Sequence, residues 1–168
     1  MINIYWDLDG LLANFYLYWG NDKTFDKERF KKEVLENNMF NKLEVLEKSR
    51  KLLIDISNYC MKNSVEYNFQ VLGSLGSPND DELANKIIQQ KTDWIAKHFT
   101  NAFSNLNFVK RKGLKKLYAT NNSLLIDDTS DNVNDFIENN GKAYLWNDNI
   151  SYEMQLCDIL LIIKSMTK

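Results

Sequence analysis

A chain of 168 residues with 44% apolar and 12% aromatic content is long enough to bury a core and too apolar to stay disordered. Its 21 basic and 23 acidic side chains leave a net charge of −2, which gives no electrostatic footprint for duplex nucleic acid or an anionic membrane. Two cysteines, Cys60 and Cys157, are too few for a disulfide scaffold and read as buried free thiols, and the single His98 excludes a multi-histidine metal site.

Taken in chain order, Ile2 to Trp6 is an apolar run ending at Asp7 and reads as a buried strand. Residues 11 to 40 mix Phe15, Tyr16, Tyr18, Trp19, Phe25, Phe30 and Phe40 with charge; the break at Gly20-Asn21-Asp22 predicts two short helices joined by a turn. A stronger helix follows over 43–61, with Leu46, Leu53, Ile56 and Cys60 on one face. Phe69 to Leu72 is a second strand. Ser77-Pro78-Asn79-Asp80 then reads as a helix start, with Ser77 as N-cap and Pro78 at the first helical position. Leu83, Ile87, Trp94 and His98 line that helix, and His98 reads as a packing or capping residue. Phe108-Val109 and Leu124 to Ile126 are short strands, the latter ending at Asp127-Asp128. A helix from Asp131 to Asn139 closes at Gly141, Ala143 to Trp146 is a fifth strand, and Tyr152 to Ile163 is the closing helix. That last helix holds the longest apolar run, Ile159 to Ile163, far short of a membrane span. The opening MINIYWDLDG has neither the basic region nor the cleavage site of a signal peptide, so no membrane partner and a cytoplasmic location are expected.

Strands alternating with helices predict an α/β fold: a Rossmann-like parallel sheet with helices on both faces. In such sheets ligands bind beyond the C-terminal ends of the strands. Asp7 and Asp9 follow the first strand, and Asp127 and Asp128 follow the fourth. Four carboxylates converging there would repel one another, and Mg²⁺, a hard ion that prefers oxygen, would relieve the repulsion. Such a cluster with a lysine and a hydroxyl is a phosphoryl-transfer set.

Trp6 to Phe15, read WDLDGLLANF, together with Leu125-Ile126-Asp127-Asp128-Thr129, resembles the haloacid dehalogenase-like (HAD) phosphohydrolases. Within them the chain looks most like the small 5'(3')-deoxyribonucleotidase-type branch; Lys91-Thr92-Asp93-Trp94 resembles that branch's Lys-x-x-Trp helix, and residues 124–145 resemble its last segment. The resemblance implies one domain over 1–168 with a small helical cap inserted at about 15–45. It implies a double displacement with Asp7 as nucleophile and Asp9 as acid and then base. It also implies a Mg²⁺ cofactor held by Asp7, the Asp9 carbonyl, and Asp127 or Asp128, one of that pair directly and the other through water or a neighbour.

The same resemblance calls for a phosphate-binding hydroxyl at the end of strand two, where the slot falls on Gly73 or Ser74 and only Ser74 carries a hydroxyl. The helix start at Ser77 would add N–H groups nearby. A phosphate-binding lysine is expected shortly before the last motif, where Lys115 is preferred and Lys116 is second; Lys110 and Lys112 read as solvated surface. Lys91 reads as a solvated helix position more than a group at the site mouth. Asn14 stands where an acid is frequent, and Asp131 and Asn132 read as supports for the Asp127-Asp128 loop.

The resemblance implies a small phosphomonoester partner, foremost a nucleoside monophosphate, which Phe15, Tyr16, Tyr18 or Trp19 would stack against unless they form the cap's own core. A sugar phosphate as substrate, and a non-catalytic phosphate- or protein-binding descendant, are the alternatives; the latter is disfavoured because Asp7 and Asp9 are both present. A two-component receiver domain is disfavoured because the second acidic pair follows strand four. Oligomeric state is open, a homodimer included.

Overall fold

A computed structural model describes residues 1–20 and 26–167. The Asn21-Asp22 turn and Phe25 lie outside the described residues. Five strands, β1 (Ile2–Trp6), β2 (Tyr67–Ser74), β3 (Asn105–Val109), β4 (Ser123–Asp127) and β5 (Lys142–Leu145), form a parallel sheet in the order β3-β2-β1-β4-β5. The chain leaves β1 toward β2 on one side and later crosses to β4 on the other. A crevice therefore opens between the ends of β1 and β4, the usual ligand position in such sheets.

Strand alternation divides the core. Ile2, Ile4 and Trp6 face one side, against α3 (Glu47–Lys62), α4 (Asp81–His98) and α6 (Tyr152–Ser165). Tyr5 and Leu125 face the other, against α5 (Ser130–Glu138) and a 3-10 helix over Lys112–Tyr118. The fold is thus the Rossmann-like parallel sheet with helices on both faces that the alternation predicts. No described helix is long and apolar enough to cross a membrane.

Between β1 and α3 the chain makes a helical insertion: α1 (Phe15–Trp19), α2 (Lys27–Leu35) and a 3-10 helix over Met39–Lys42. An antiparallel bridge between Ala13 and Val45 closes its base, with Asn14 N–H donating to Glu44 O at 2.8 Å and Leu46 N–H to Leu12 O at 2.9 Å. One face of α4 seats it. Gln90 Nε2 donates to Val34 O at 2.7 Å, Gln90 Oε1 accepts from Phe40 N at 3.1 Å, and Trp94 Nε1 donates to Leu43 O at 2.8 Å. These bonds are buried, so each satisfies a group that would otherwise be costly to desolvate.

Several local expectations change. The α4 helix starts at Asp81, with Asp80 rather than Ser77 as N-cap: the Asp80 carboxylate accepts from Leu83 N–H at 2.7 Å, while Ser77 takes a left-handed φ of 62°. The turn therefore continues past Pro78 before the helix begins. The buried face of α3 runs through Ser49, Leu52, Ile56 and Cys60, and Leu46 sits at its N-cap instead of on that face. Cys60 is buried, but Cys157 is exposed on α6. The left-handed residue ending α5 is Asn140, at φ 67°, and not Gly141. Gly141 N–H bonds to Phe136 O at 3.0 Å and Asn140 N–H to Ile137 O at 3.1 Å, which is the paired-bond Schellman closure.

Gly141 is required for space. A Cβ there would overlap the Phe136 ring and come within 3.0 Å of the Phe136 carbonyl oxygen. Gly141→Ala is expected to destabilise the fold by about 1–3 kcal/mol through overpacking, read as a lower urea midpoint at unchanged slope. An unchanged midpoint would show that the α5–β5 turn relaxes freely.

Candidate active site

β1 and β4 lie side by side, and Asp7 N–H still donates to Ile126 O at 3.0 Å, so the acids that follow the two strands emerge together. Asp7, Asp127 and Asp128 each offer a carboxylate oxygen within 4.8 Å of the others. Lys115, 1% exposed, inserts its ammonium between two of them, 2.6 Å from Asp7 Oδ1 and 2.7 Å from Asp127 Oδ2. Asp7 Oδ1 also accepts Leu8 N–H at 2.8 Å, whereas Asp7 Oδ2 accepts no bond among the described residues.

Asp127 is fully buried and saturated. Besides Lys115 it accepts Thr129 N–H at 2.8 Å, and Asn132 Nδ2 at 3.0 Å on Oδ1 and 2.9 Å on Oδ2. Asn132 thus braces the acidic loop, as the sequence suggests, while Asp131 is exposed. Asp128 is less enclosed and meets the Thr129 hydroxyl at 3.4 Å and the Tyr16 phenol. Gly10 makes that placement possible: its φ is +93°, and a Cβ there would overlap the Asp128 carboxylate.

Asp9 is held separately. Lys91 on α4, also 1% exposed, places Nζ 2.5 Å from Asp9 Oδ2 and 2.7 Å from Ser74 O, and lies 4.5 Å from the Phe40 ring centroid. This overturns the solvated reading of Lys91. Helical spacing carried the signal, since Ile87, Lys91 and Trp94 fall on one face at i, i+4, i+7. Asp9 Oδ1 is buried with no hydrogen-bond partner among the described residues.

These groups open on a cavity of about 480 Å³. Its floor carries Asp7, Asp9, Lys91 and Lys115; Ser74 stands on one wall, and Phe15, Tyr16, Phe30 and Phe40 of the insertion roof it. Ser74 Oγ accepts Gly76 N–H at 3.2 Å, which leaves its own proton to donate. Gly73 is buried in β2 against Phe108 and Leu8 and does not line the cavity, whereas Ser74 does. Lys116 is half-buried and does not line the cavity; Arg111 and Lys112 do, and both are exposed, as the solvated reading of Lys112 expects. Trp19 and Tyr18 point elsewhere: Trp19 is buried on Phe15 at 5.9 Å and under the Arg29 guanidinium, and Tyr18 donates to Glu33 at 2.8 Å. His98 packs on Trp94, and Asn14 caps α1 by accepting Leu17 N–H at 3.2 Å.

The charges do not balance. Four carboxylates face two ammonium groups, Lys115 and Lys91. Burial, and then the Asp127 charge, push the Asp7 carboxyl well above the usual carboxylate range despite Lys115. Burial and Asp127 push Asp128 up to about 6. Burial, and then Asp128, push the Tyr16 phenol up to about 12. For Lys115, burial works to lower the value, but Asp7 and Asp127 outweigh it and hold the ammonium charged. A divalent cation fits this set: every available donor is a hard oxygen, and the Asp9 carbonyl accepts no backbone bond among the described residues.

No known family model matches the chain, and no curated protein does. Among solved structures, a crystal structure of a HAD-superfamily hydrolase from Ehrlichia chaffeensis matches with a TM-score of 0.45 at 13% identity, over 94% of this chain and 97% of that one.

The raised carboxyls set a pH dependence for the metal-free protein. An acid whose folded pKa is raised binds a proton that the unfolded chain has released, so stability falls as pH rises through the interval. For Asp128 that interval runs from 3.8 to about 6. The urea midpoint of the metal-free protein is expected to fall across this window more steeply in the wild type than in Asp128→Asn. Parallel profiles would remove Asp128 as the source.

Proposed function

We propose that the protein is a Mg²⁺-dependent phosphomonoesterase working through an aspartyl-phosphate on Asp7, with nucleoside monophosphates as the foremost substrate class. The observation that supports it most is the pairing of a buried Asp7, whose Oδ2 accepts no bond among the described residues, with a charged Lys115 and a nearby Asp9 on one cavity. The resemblance of WDLDG and LIDDT to the HAD phosphohydrolases points the same way.

In this reading Asp7 Oδ2 attacks phosphorus while Lys115 and the Leu8 N–H hold Oδ1. Lys115 neutralises charge on the transferring phosphoryl group, and the Ser74 hydroxyl donates to one of its oxygens. Asp9 Oδ1, which has no protein partner among the described residues, gives its proton to the leaving alkoxide. It then takes a proton from water as the hydroxide displaces Asp7 from phosphorus, releasing inorganic phosphate. Lys91 grips the other oxygen and acts as a positioning residue for Asp9. Asp7, the Asp9 carbonyl and Asp128 would hold Mg²⁺. Asp127 is already saturated by Lys115, Thr129 and Asn132 and would orient that loop instead. The ion would supply positive charge for the transferring phosphoryl oxygens. Phe15 and Tyr16 offer the stacking surface for a base, taking the place of Trp19 and Tyr18.

Activity should disappear with EDTA and return with Mg²⁺, and Asp7→Asn should abolish turnover while the circular dichroism spectrum is kept; wild-type rates in Asp7→Asn would end the double-displacement reading. Asp9→Asn should lose on the order of 10²-fold in kcat or more. Lys91→Met should lose less, with the loss steepest for poor leaving groups and KM nearly unchanged. Equal losses on aryl and alkyl phosphates would make Lys91 a structural residue only.

A panel of deoxynucleotides, ribonucleotides, sugar phosphates and an aryl phosphate, compared by kcat/KM, tests the substrate class. Phe15→Ala should lower kcat/KM for the deoxynucleotide more than for the sugar phosphates, and equal losses on both would remove Phe15 as a base-stacking surface. A sugar phosphate ranking first would transfer the same chemistry to that class.

A further inference from the structure

Two cationic side chains line the cavity besides the two lysines that pair with its acids. Lys115 is committed to Asp7 and Asp127, and Lys91 to Asp9. Arg111 and Lys112 line the same cavity further out and are exposed. Arg111 has no ion pair among the described residues, and Lys112 has only a 3.9 Å approach to the exposed Asp131. Geometry relates the outer pair to the inner lysine. Lys112 and Lys115 are three residues apart in one 3-10 helix, where side chains at i and i+3 eclipse. Lys112 therefore shares a helix face with Lys115 one turn away, about 6 Å along the helix axis.

We propose that Arg111 and Lys112 form an anion subsite for a second phosphate on the substrate, separated from the reacting phosphate by a pentose. The inference rests on the phosphomonoesterase reading for which phosphate is the reacting one. The spacing suits phosphates on two carbons of a sugar and is too long for two phosphates joined through a single oxygen. Arg111 supplies a planar fork for phosphate oxygens, and Lys112 a mobile point charge. The second phosphate belongs either to a free nucleoside 3',5'-bisphosphate or to the first internucleotide linkage of a short single strand carrying a terminal phosphate.

Calorimetric titration of Asp7→Asn with Mg²⁺ present measures this directly, because binding is read without turnover. The ligands are 2'-deoxyadenosine 5'-monophosphate, its 3',5'-bisphosphate, its 5'-diphosphate, and a 5'-phosphorylated dinucleotide. The bisphosphate is expected to bind at least about tenfold tighter than the monophosphate and the diphosphate at low salt, as one or two charge-assisted contacts would give. That advantage should shrink at high salt and collapse in Asp7→Asn carrying Arg111→Gln and Lys112→Gln, both exposed positions that leave the core intact. A gain shared by the dinucleotide identifies a strand end as the source, and a gain confined to the bisphosphate identifies the free metabolite class. Equal affinity for monophosphate and bisphosphate, an equal gain for the diphosphate, or an advantage that survives the two Gln substitutions would overturn the subsite. If the wild type turns over no phosphomonoester, the catalytic reading fails while the same titration on the wild type still decides the subsite.

Discussion

One buried ammonium group organises this molecule. Lys115 lies between Asp7 at the end of β1 and Asp127 at the end of β4, and all three side chains are withdrawn from water. Without it, two carboxylates from neighbouring strands would share a low-dielectric pocket uncompensated, and removing one member of such a set typically costs about 3–5 kcal/mol. The lysine's reach sets further requirements. The 3-10 helix that carries it must pack on the Tyr5 face of the sheet, and α5 must bring Asn132 up to the far side of Asp127. The electrostatic need at the strand ends and the packing of the smaller core are therefore one constraint.

A second buried lysine does a parallel task on the other face. Lys91 extends from α4 to Asp9 and the carbonyl of Ser74, and the neighbouring Gln90 and Trp94 hold the backbone of the insertion. A shift of α4 would thus move the acid, the end of β2 and the roof of the cavity together. The roof itself is aromatic, and its rings contact one another as well as the cavity: Phe30 and Phe40 lie 6.1 Å apart edge to face, and Phe15 stacks on Trp19. Burial beneath this lining is the first cause of the raised proton affinities of Asp7 and Asp128.

Much of this was legible in the chain, for identifiable reasons. Asp7 and Asp127 follow short apolar runs, and in a parallel sheet such runs end at the ligand face, so their convergence follows from topology. Ser74 was legible because only it carries a hydroxyl at its strand end. Lys115 and Lys116 could not be separated by type; the 3-10 periodicity that buries one and leaves the other half-exposed exists only once the helix is built. Lys91 reads as solvated by its charge, whereas its spacing from Ile87 and Trp94 on one helix face places it inward. Pro78 drew the start of α4 forward, whereas the capping bond belongs to Asp80. The aromatics of α1 offered no pattern to say which face the cavity, since neighbouring residues on one short helix are all large and apolar.

Gly10 shows how narrowly the acidic cluster is fitted. The backbone needs a positive φ there to curl from β1 into the insertion, and that turn brings the chain under the Asp128 carboxylate. Any side chain at this position would meet both a forbidden dihedral and the oxygen atoms of an acid. The same absence of a Cβ lets Asp128 sit within reach of Asp7 and Asp127, and so allows three carboxylates, rather than two, to share the site. Among the described residues Lys115 bridges Asp7 and Asp127 and no ammonium pairs with Asp128, whose proton affinity burial and then the Asp127 charge raise. Asp128 is thus the member of the cluster that most requires a further positive charge, and it is the one that a missing side chain at Gly10 admits.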